Sequence, residues 1–321
     1  MASAPHRLRI PYESLGFTPG TLLFESGLPV TWNDIVWAAL TIGRPSVHHV
    51  FEHGTSSLYE AMFRIGLVRM ALEQSGPNAT RLRRTRAFKD LDPTEKGAVS
   101  YFLGMAFCKV FASARLRTPW LLHLDAFKGR LALSSFGRSR PDLIGQQTTT
   151  GNWLVFETKG RAGKPSSADR TKAKAQAQRV TSISGSTPAL RVGTFAYFRN
   201  DALHFLWIDP PAAGGKGVEI PEIGDAWRYY YEPVRSLWLD QPEATDEAAN
   251  GLMVSLPEAD LEIHIHKLLA PFLRNRDWVR ARQVMAESLQ LLIEGEYQAD
   301  GLKIVCGPSW TQRAEEVVPA G

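Results

Sequence analysis

Two stretches carry most of the chemistry this sequence offers. Pro141-Asp142-Leu143-Ile144-Gly145 opens an apolar run on an aspartate, and Trp153-Leu154-Val155-Phe156-Glu157-Thr158-Lys159 closes another on acid-x-Lys. In a strand, successive side chains point to opposite faces, so Glu157 and Lys159 share a face and Thr158 points away from it. Between the runs, Gln146 to Asn152 holds three threonines, Gly151 and Asn152, the composition of a hairpin connection. If the runs pair antiparallel, the start of the first lies beside the end of the second. Asp142 and Glu157 then face each other, with Lys159 alongside. Two carboxylates held together repel unless something neutralises them, and a divalent cation does so. Mg²⁺ suits an all-oxygen site of one or two carboxylates completed by substrate phosphates, and Mn²⁺ is expected to substitute. Such a cation lowers the pKa of a bound water and stabilises charge on a phosphate, and a nearby lysine adds a point charge. That chemistry is phosphodiester hydrolysis. The bland alternative for the same residues is a hairpin with a solvated acidic and basic end.

The constellation resembles the PD-(D/E)xK motif of the restriction-endonuclease-like nuclease superfamily, with Pro141-Asp142 followed after 15 positions by Glu157-Thr158-Lys159. The resemblance implies that Asp142 and Glu157 are metal ligands and that Lys159 is the catalytic lysine. It also implies a further acidic ligand on the helix ahead of the sheet, for which Glu95 is the nearest candidate and Glu60 the alternative. A lysine or glutamine on the helix after the motif is implied near the active site, and Gln176 is the residue assigned. The expected fold is α/β: a restriction-endonuclease-like core, meaning a mixed central sheet flanked by helices, over residues 94–209. An N-terminal helical region (residues 1–93) packs on it, and a mostly helical C-terminal addition spans residues 219–321. By resemblance, such a protein serves bacterial restriction, repair or phage defence, and a homodimer or an activating partner protein is expected. The rival readings are an inactive nuclease fold that binds nucleic acid or acts as a scaffold, and a small-molecule enzyme that matches by accident.

Charge points the same way. The chain carries a net charge of +4, but residues 81–180 hold 20 Lys and Arg against 7 Asp and Glu, while the rest is net acidic. A basic block around the motif is the footprint expected of a nucleic-acid partner. Charge does not distinguish DNA from RNA, and DNA is the expected partner. Within it, Arg138, Arg140, Arg161, Lys164, Lys172, Lys174 and Arg179 are the expected nucleic-acid contacts. Arg81, Arg83, Arg84, Arg86 and Lys89 form either a solvated or a phosphate-contacting run.

The elements that must position these residues are partly legible. Asn33-Asp34 starts a short helix to Ile42, and Ser56 to Gln74 reads as a longer one. Asp92-Pro93-Thr94-Glu95 starts a helix through Ala114, with proline in the first turn. Gly97 and Gly104 on that helix are positioned for close approach of a sheet. Leu22-Leu23-Phe24, Pro29-Val30-Thr31, Trp120 to Leu124 and Arg130 to Ser134 read as strands. Ser166 to Asp169 caps an alanine-rich helix to about Ile183. Leu190 to Phe198 and Leu203 to Ile208 read as a strand pair around Asn200-Asp201. Leu256 to Ile293 reads as two helices broken near Asn275-Arg276-Asp277. His48, His49 and His53, like His264 and His266, lack matched partners for a metal site. Two cysteines, Cys108 and Cys306, fit a reducing cytosol rather than a disulfide framework, and no signal peptide or membrane span is expected. The apolar run Ala98 to Ala114 contains Lys109 and reads as a buried helix. The expected location is cytoplasmic.

Overall fold

The first six residues of the Trp153–Arg161 strand are buried, a near-continuous apolar run that belongs in the middle of a sheet covered on both faces. The Leu190–Arg199 strand is buried along eight consecutive residues for the same reason. The two run parallel, with Glu157 beside Gly193. Parallel neighbours need a crossover connection, and the Ser167–Ala177 helix supplies it, packed against both strands. A capping box starts this helix: Ser166 accepts from the Asp169 N–H and Asp169 accepts from the Ser166 N–H. Leu190–Arg199 then turns at Asn200 and Asp201, whose φ values of 50° and 64° suit a tight two-residue turn, into the antiparallel Ala202–Ile208 strand.

These elements are taken from a computed structural model that describes residues 8–17, 27–43, 56–74, 79–127, 140–209, 216–218, 223–239, 245–247 and 251–312. The expected strands at Leu22 to Phe24 and Arg130 to Ser134, and His48, His49, His53 and Arg138, lie outside the described residues.

On the other face of the sheet lies the Pro93–Leu116 helix, opened by the Asp92 and Glu95 capping box. It presses on backbone rather than side chains. A Cβ on Gly160 would sit 1.6 Å from the Ser100 carbonyl oxygen, and one on Gly104 would sit 2.7 Å from the Gly160 nitrogen. Glycine is therefore required where helix and strand cross, directly after Lys159. Gly97, by contrast, meets nothing within 4 Å. This is the one helix among the described residues long and apolar enough to cross a membrane, and 67% of its apolar window is buried inside the fold.

The central sheet is mixed, eight-stranded among the described residues, and flanked by helices, as expected for an α/β protein. Its order is Leu72–Gln74, Leu82–Arg84, Ala202–Ile208, Leu190–Arg199, Trp153–Arg161, Leu143–Gln146 and Leu121–His123, with Tyr12–Leu15 added parallel to Ala202–Ile208. Three of these strands come from the region read as helical and peripheral. The first 93 residues thus build part of the sheet itself, beside two helices, Trp32–Thr41 and Ser56–Ala71, found close to where the sequence places them.

The C-terminal region departs further from expectation. Thr245–Glu247, Gly251–Leu256, Leu261–His266 and Leu302–Cys306 form an antiparallel sheet, accompanied by helices including Ile223–Leu239, Ala270–Arg274 and Trp278–Glu287. Leu261, Ile263 and Ile265 are buried while Glu262 and His264 are partly exposed, a period-2 pattern that makes this stretch a strand rather than helix. The helix break at Asn275-Arg276-Asp277 is found where expected.

A buried polar network ties these parts together. Lys109, fully buried on the Pro93–Leu116 helix, donates to the Thr41 carbonyl and to the Tyr230 hydroxyl, which donates to Asp300. The Trp37 indole also donates to Asp300, at 2.8 Å. Burial holds the Asp300 carboxyl above its ordinary pKa, opposed by the Lys109 charge. The first helix, the central helix and the C-terminal region therefore share one ionic centre.

Candidate active site

Asp142 and Glu157 meet as the hairpin reading requires. Leu143–Gln146 pairs antiparallel with Trp153–Arg161, with Leu143 opposite Phe156. Continuing that register by one residue places Asp142 opposite Glu157, and the Asp142 N–H donates to the Phe156 carbonyl. The connection closes through Gln147 and Asn152, with Gly151 at φ 69°. Glu157 and Lys159 share the face covered by the Ser167–Ala177 helix. Thr158 faces the Pro93–Leu116 helix, where its hydroxyl touches the Met105 sulfur.

The electrostatics of the pair are those of a strained acid. Glu157 is 0% exposed and its pKa is pushed up to about 8, chiefly by burial and next by the Asp142 charge, with Lys159 and Lys172 pulling it down. Lys159 makes an ion pair with Glu157 Oε1. That contact is Coulombic rather than well directed, because neither Glu157 oxygen accepts a hydrogen bond of good angle. Asp142 is better served: the Thr158 N–H and hydroxyl both donate to its Oδ2, at 2.8 and 2.9 Å.

The remaining assigned residues divide. Gln176 is buried on the helix that covers the Glu157 strand, and its amide oxygen has no hydrogen-bond partner. Lys172, one turn earlier, is exposed and close enough for its charge to act on Glu157. Lys164 and Arg179 are exposed, and Lys174 is half-buried. Arg140 and Arg161 are instead engaged by carboxylates: Arg140 pairs with Asp125, and Arg161 with Asp169, whose pKa falls to about 2 through that hydrogen bond. Arg83, Arg84 and Lys89 converge on Asp201, a contact across more than a hundred positions of sequence that answers neither expectation for the run.

Glu95 does not join the pair. It is exposed and accepts from the Asp92 N–H in the capping box that starts its helix, while Glu60 is ion-paired to Arg64 one turn on. Among the described residues, no three His, Cys, Asp or Glu side chains gather as a metal-holding group. His264 bonds Glu262, and His266 Nδ1 accepts from the Leu268 N–H.

The chain matches no protein-family model, no curated protein and no solved structure.

Next to Asp142 stands a cluster the sequence reading passed over. The Asp125 N–H donates to His123 Nδ1, so the proton of the neutral ring sits on Nε2, which lies 3.3 Å from the Tyr101 hydroxyl. Burial depresses the His123 pKa against the pull of Asp125 and Asp142, and raises that of Tyr101, helped by Asp142 and Asp125. Thr158, Tyr101, His123 and Asp125 carry no spacing signal of their own. Thr158 alone could have been singled out, as a hydroxyl placed between the two charged residues of the motif.

Proposed function

We propose that the protein is a metal-dependent phosphodiesterase that cuts nucleic acid, DNA in preference to RNA, on a restriction-endonuclease-like core. One observation carries this reading: the buried Glu157 carboxylate, opposite Asp142, accepts no well-formed hydrogen bond within the fold. Burying an ionised carboxylate is costly, two carboxylates side by side raise that cost, and the single Lys159 ion pair does not offset it, since the Glu157 pKa stays raised. A divalent cation is the partner whose chemistry fits an oxygen-only donor pair, and Mg²⁺ completed by substrate phosphates needs no third carboxylate. Asp142 and Glu157 would hold it. It would supply charge neutralisation at the phosphate and a more acidic water.

The chain's own residues do the rest. Thr158 fixes the orientation of the Asp142 carboxylate by two bonds to one oxygen. Lys159, partly exposed and tethered to Glu157, holds an ammonium where a scissile phosphate would approach. Lys172 extends the positive field along the covering helix, and Gln176 offers an amide oxygen without an internal hydrogen-bond partner. The Pro93–Leu116 helix, seated on Gly160, keeps Lys159 from shifting along its strand.

Nicking of supercoiled plasmid and cleavage of labelled oligonucleotides, each in Mg²⁺ and in EDTA, tests the reading. Cleavage that needs Mg²⁺ and is lost in Asp142→Asn and Glu157→Gln supports it. Binding without cleavage in Mg²⁺ and Mn²⁺ alike would overturn it in favour of an inactive nucleic-acid-binding fold.

A further inference from the structure

We propose that DNA reaches the carboxylate pair across the sheet face beside Lys159, with its phosphates held by Arg199 and Arg81. This deepens the phosphodiesterase reading and rests on it for the position of the chemistry.

Strand register places these residues side by side. Arg161 pairs with Tyr197, and Tyr197 with His204, on three adjacent strands. The next strand pairs Arg83 with Ala202, which pairs in turn with Arg199. Continuing that antiparallel register by two residues brings Arg81 opposite His204. Laterally paired residues share a face, so all of these lie on one side of the sheet. Leu82, Leu203 and Phe198, which alternate with them, are buried in the main core on the other side. The face is the one that Glu157 and Lys159 share. A Cβ on Gly193, the neighbour of Glu157, would sit 3.3 Å from the Cβ of Ala173 on the covering helix. The row starts at Arg161, two positions past Lys159, and at ~4.8 Å per strand it extends about 14 Å sideways to Arg81.

Charge identifies what covers this face. Arg81 and Arg199 are exposed, and neither makes an ion pair among the described residues. Arg161 is held by Asp169, and Arg83 lies 3.9 Å from Asp201, so the free positive charge is that of Arg81 and Arg199. Between them sits the half-buried His204, its ring stacked on Tyr197 with centroids 5.6 Å apart. Burial, then the Arg199 and Arg81 charges, push the His204 pKa below its ordinary value, with Glu13 at the margin pulling the other way. Two guanidinium groups crowding one ring are a repulsive arrangement that a phosphate relieves, and their forked donors match its oxygens. Arg199 lies outside the basic stretch of the sequence and joins it only in the fold. The row leads straight to Lys159 and the carboxylates, which makes the anion a nucleic-acid backbone rather than an acidic protein surface.

The test measures binding, not cleavage, of a DNA duplex by the full-length protein in Ca²⁺. Fluorescence anisotropy over a series of salt concentrations compares the wild type with Arg81→Gln, Arg199→Gln, the double variant, Arg199→Lys and Arg280→Gln. Arg280, exposed on Trp278–Glu287, lies outside the row and controls for the loss of one charge. All the positions are surface-exposed, and the melting temperature checks that the fold is intact. Each phosphate contact adds about 0.9 to the slope of log affinity against log salt. Each glutamine in the row should flatten that slope by about 0.9, and the pair by about 1.8. Arg199→Lys and Arg280→Gln should keep the wild-type slope. A double variant with the wild-type slope would overturn the proposal and leave the row to an acidic protein partner. Equal flattening in Arg280→Gln would overturn it as well, since the loss would then follow net charge alone. The outcome is separable from the function test: Mg²⁺-dependent nicking with unchanged slopes removes the row alone. Flattened slopes in a protein that nicks no plasmid remove the enzyme reading alone.

Discussion

Thr158 gives both its backbone N–H and its hydroxyl to a single oxygen of Asp142, at 2.8 and 2.9 Å. The residue between the acid and the lysine of one strand thereby orients the acid of the next. Removing the hydroxyl and keeping the shape, as in Thr158→Val, leaves the N–H bond and loses the other. Partners that orient metal ligands are typically worth 10- to 100-fold in metal affinity or activity. Thr158→Val should therefore raise the Mg²⁺ concentration needed for half-maximal cleavage by about that factor, and Thr158→Ser should restore it. A metal titration of cleavage rate for both variants decides the point, and an unchanged Mg²⁺ requirement would sink it.

Glu157 makes stability depend on pH in a stated direction. Its pKa in the fold is about 8, against roughly 4.3 in an unfolded chain. The folded state thus binds the proton more tightly, and stability falls as pH rises through the window between those values. Glu157→Gln mimics the protonated form. In metal-free buffer it should raise the melting temperature by a few degrees at pH 8 and change it little at pH 5. Equal effects at both pH values would show that Glu157 is not the titrating group.

Lys159 separates binding from catalysis. An alanine there removes one positive charge from a strongly basic block, so affinity in Ca²⁺ should weaken by about one phosphate contact. Cleavage in Mg²⁺ should fall by about 10²–10³, the usual scale for a preorganised charge at a reacting phosphate. Parallel losses in anisotropy and rate would reduce Lys159 to a phosphate contact.

The Lys109 to Asp300 centre should behave as one unit. Asp300→Asn leaves a buried ammonium without its counter-charge and should cost about 3–5 kcal/mol in urea unfolding. Lys109→Met combined with Asp300→Asn should recover most of that loss. Strictly additive losses would mean that the two residues do not interact through Tyr230.

The hairpin that faces Asp142 to Glu157 was legible because three local signals agreed: strand alternation, turn-forming residues and the position of each acid at a run's end. The capping boxes at Asp92 and Ser166 were legible for the same reason, since each is complete within four residues. What failed was short or distant. Tyr12–Leu15, Leu72–Gln74 and Leu82–Arg84 are three or four residues long, too brief for periodicity, yet they complete the sheet. The strand at Leu261, Ile263 and Ile265 alternates cleanly, but it lies inside the longer stretch from Leu256 to Ile293 that reads as helix. Arg140, Arg161 and the arginines at 83 and 84 looked available because the carboxylates that engage them, Asp125, Asp169 and Asp201, lie on separate elements of the fold. Tyr101 and His123 acquire meaning only when helix and strand are packed side by side.

The burial of Lys109 also sets a timetable. Ribosomes release about 5–20 residues each second, so the chain that carries Lys109 waits roughly 10–40 s for Asp300, about 190 positions later. Until then the central helix has a charged side chain with no counter-ion to sink beside, and it cannot settle fully on Gly160. The Asp142 and Glu157 pair is thus not backed by a fully seated helix until Asp300 has been made. Ribosome-stalled chains ending before Asp300 should be cut by protease within the Pro93–Leu116 helix, and the same protein released from the ribosome should resist.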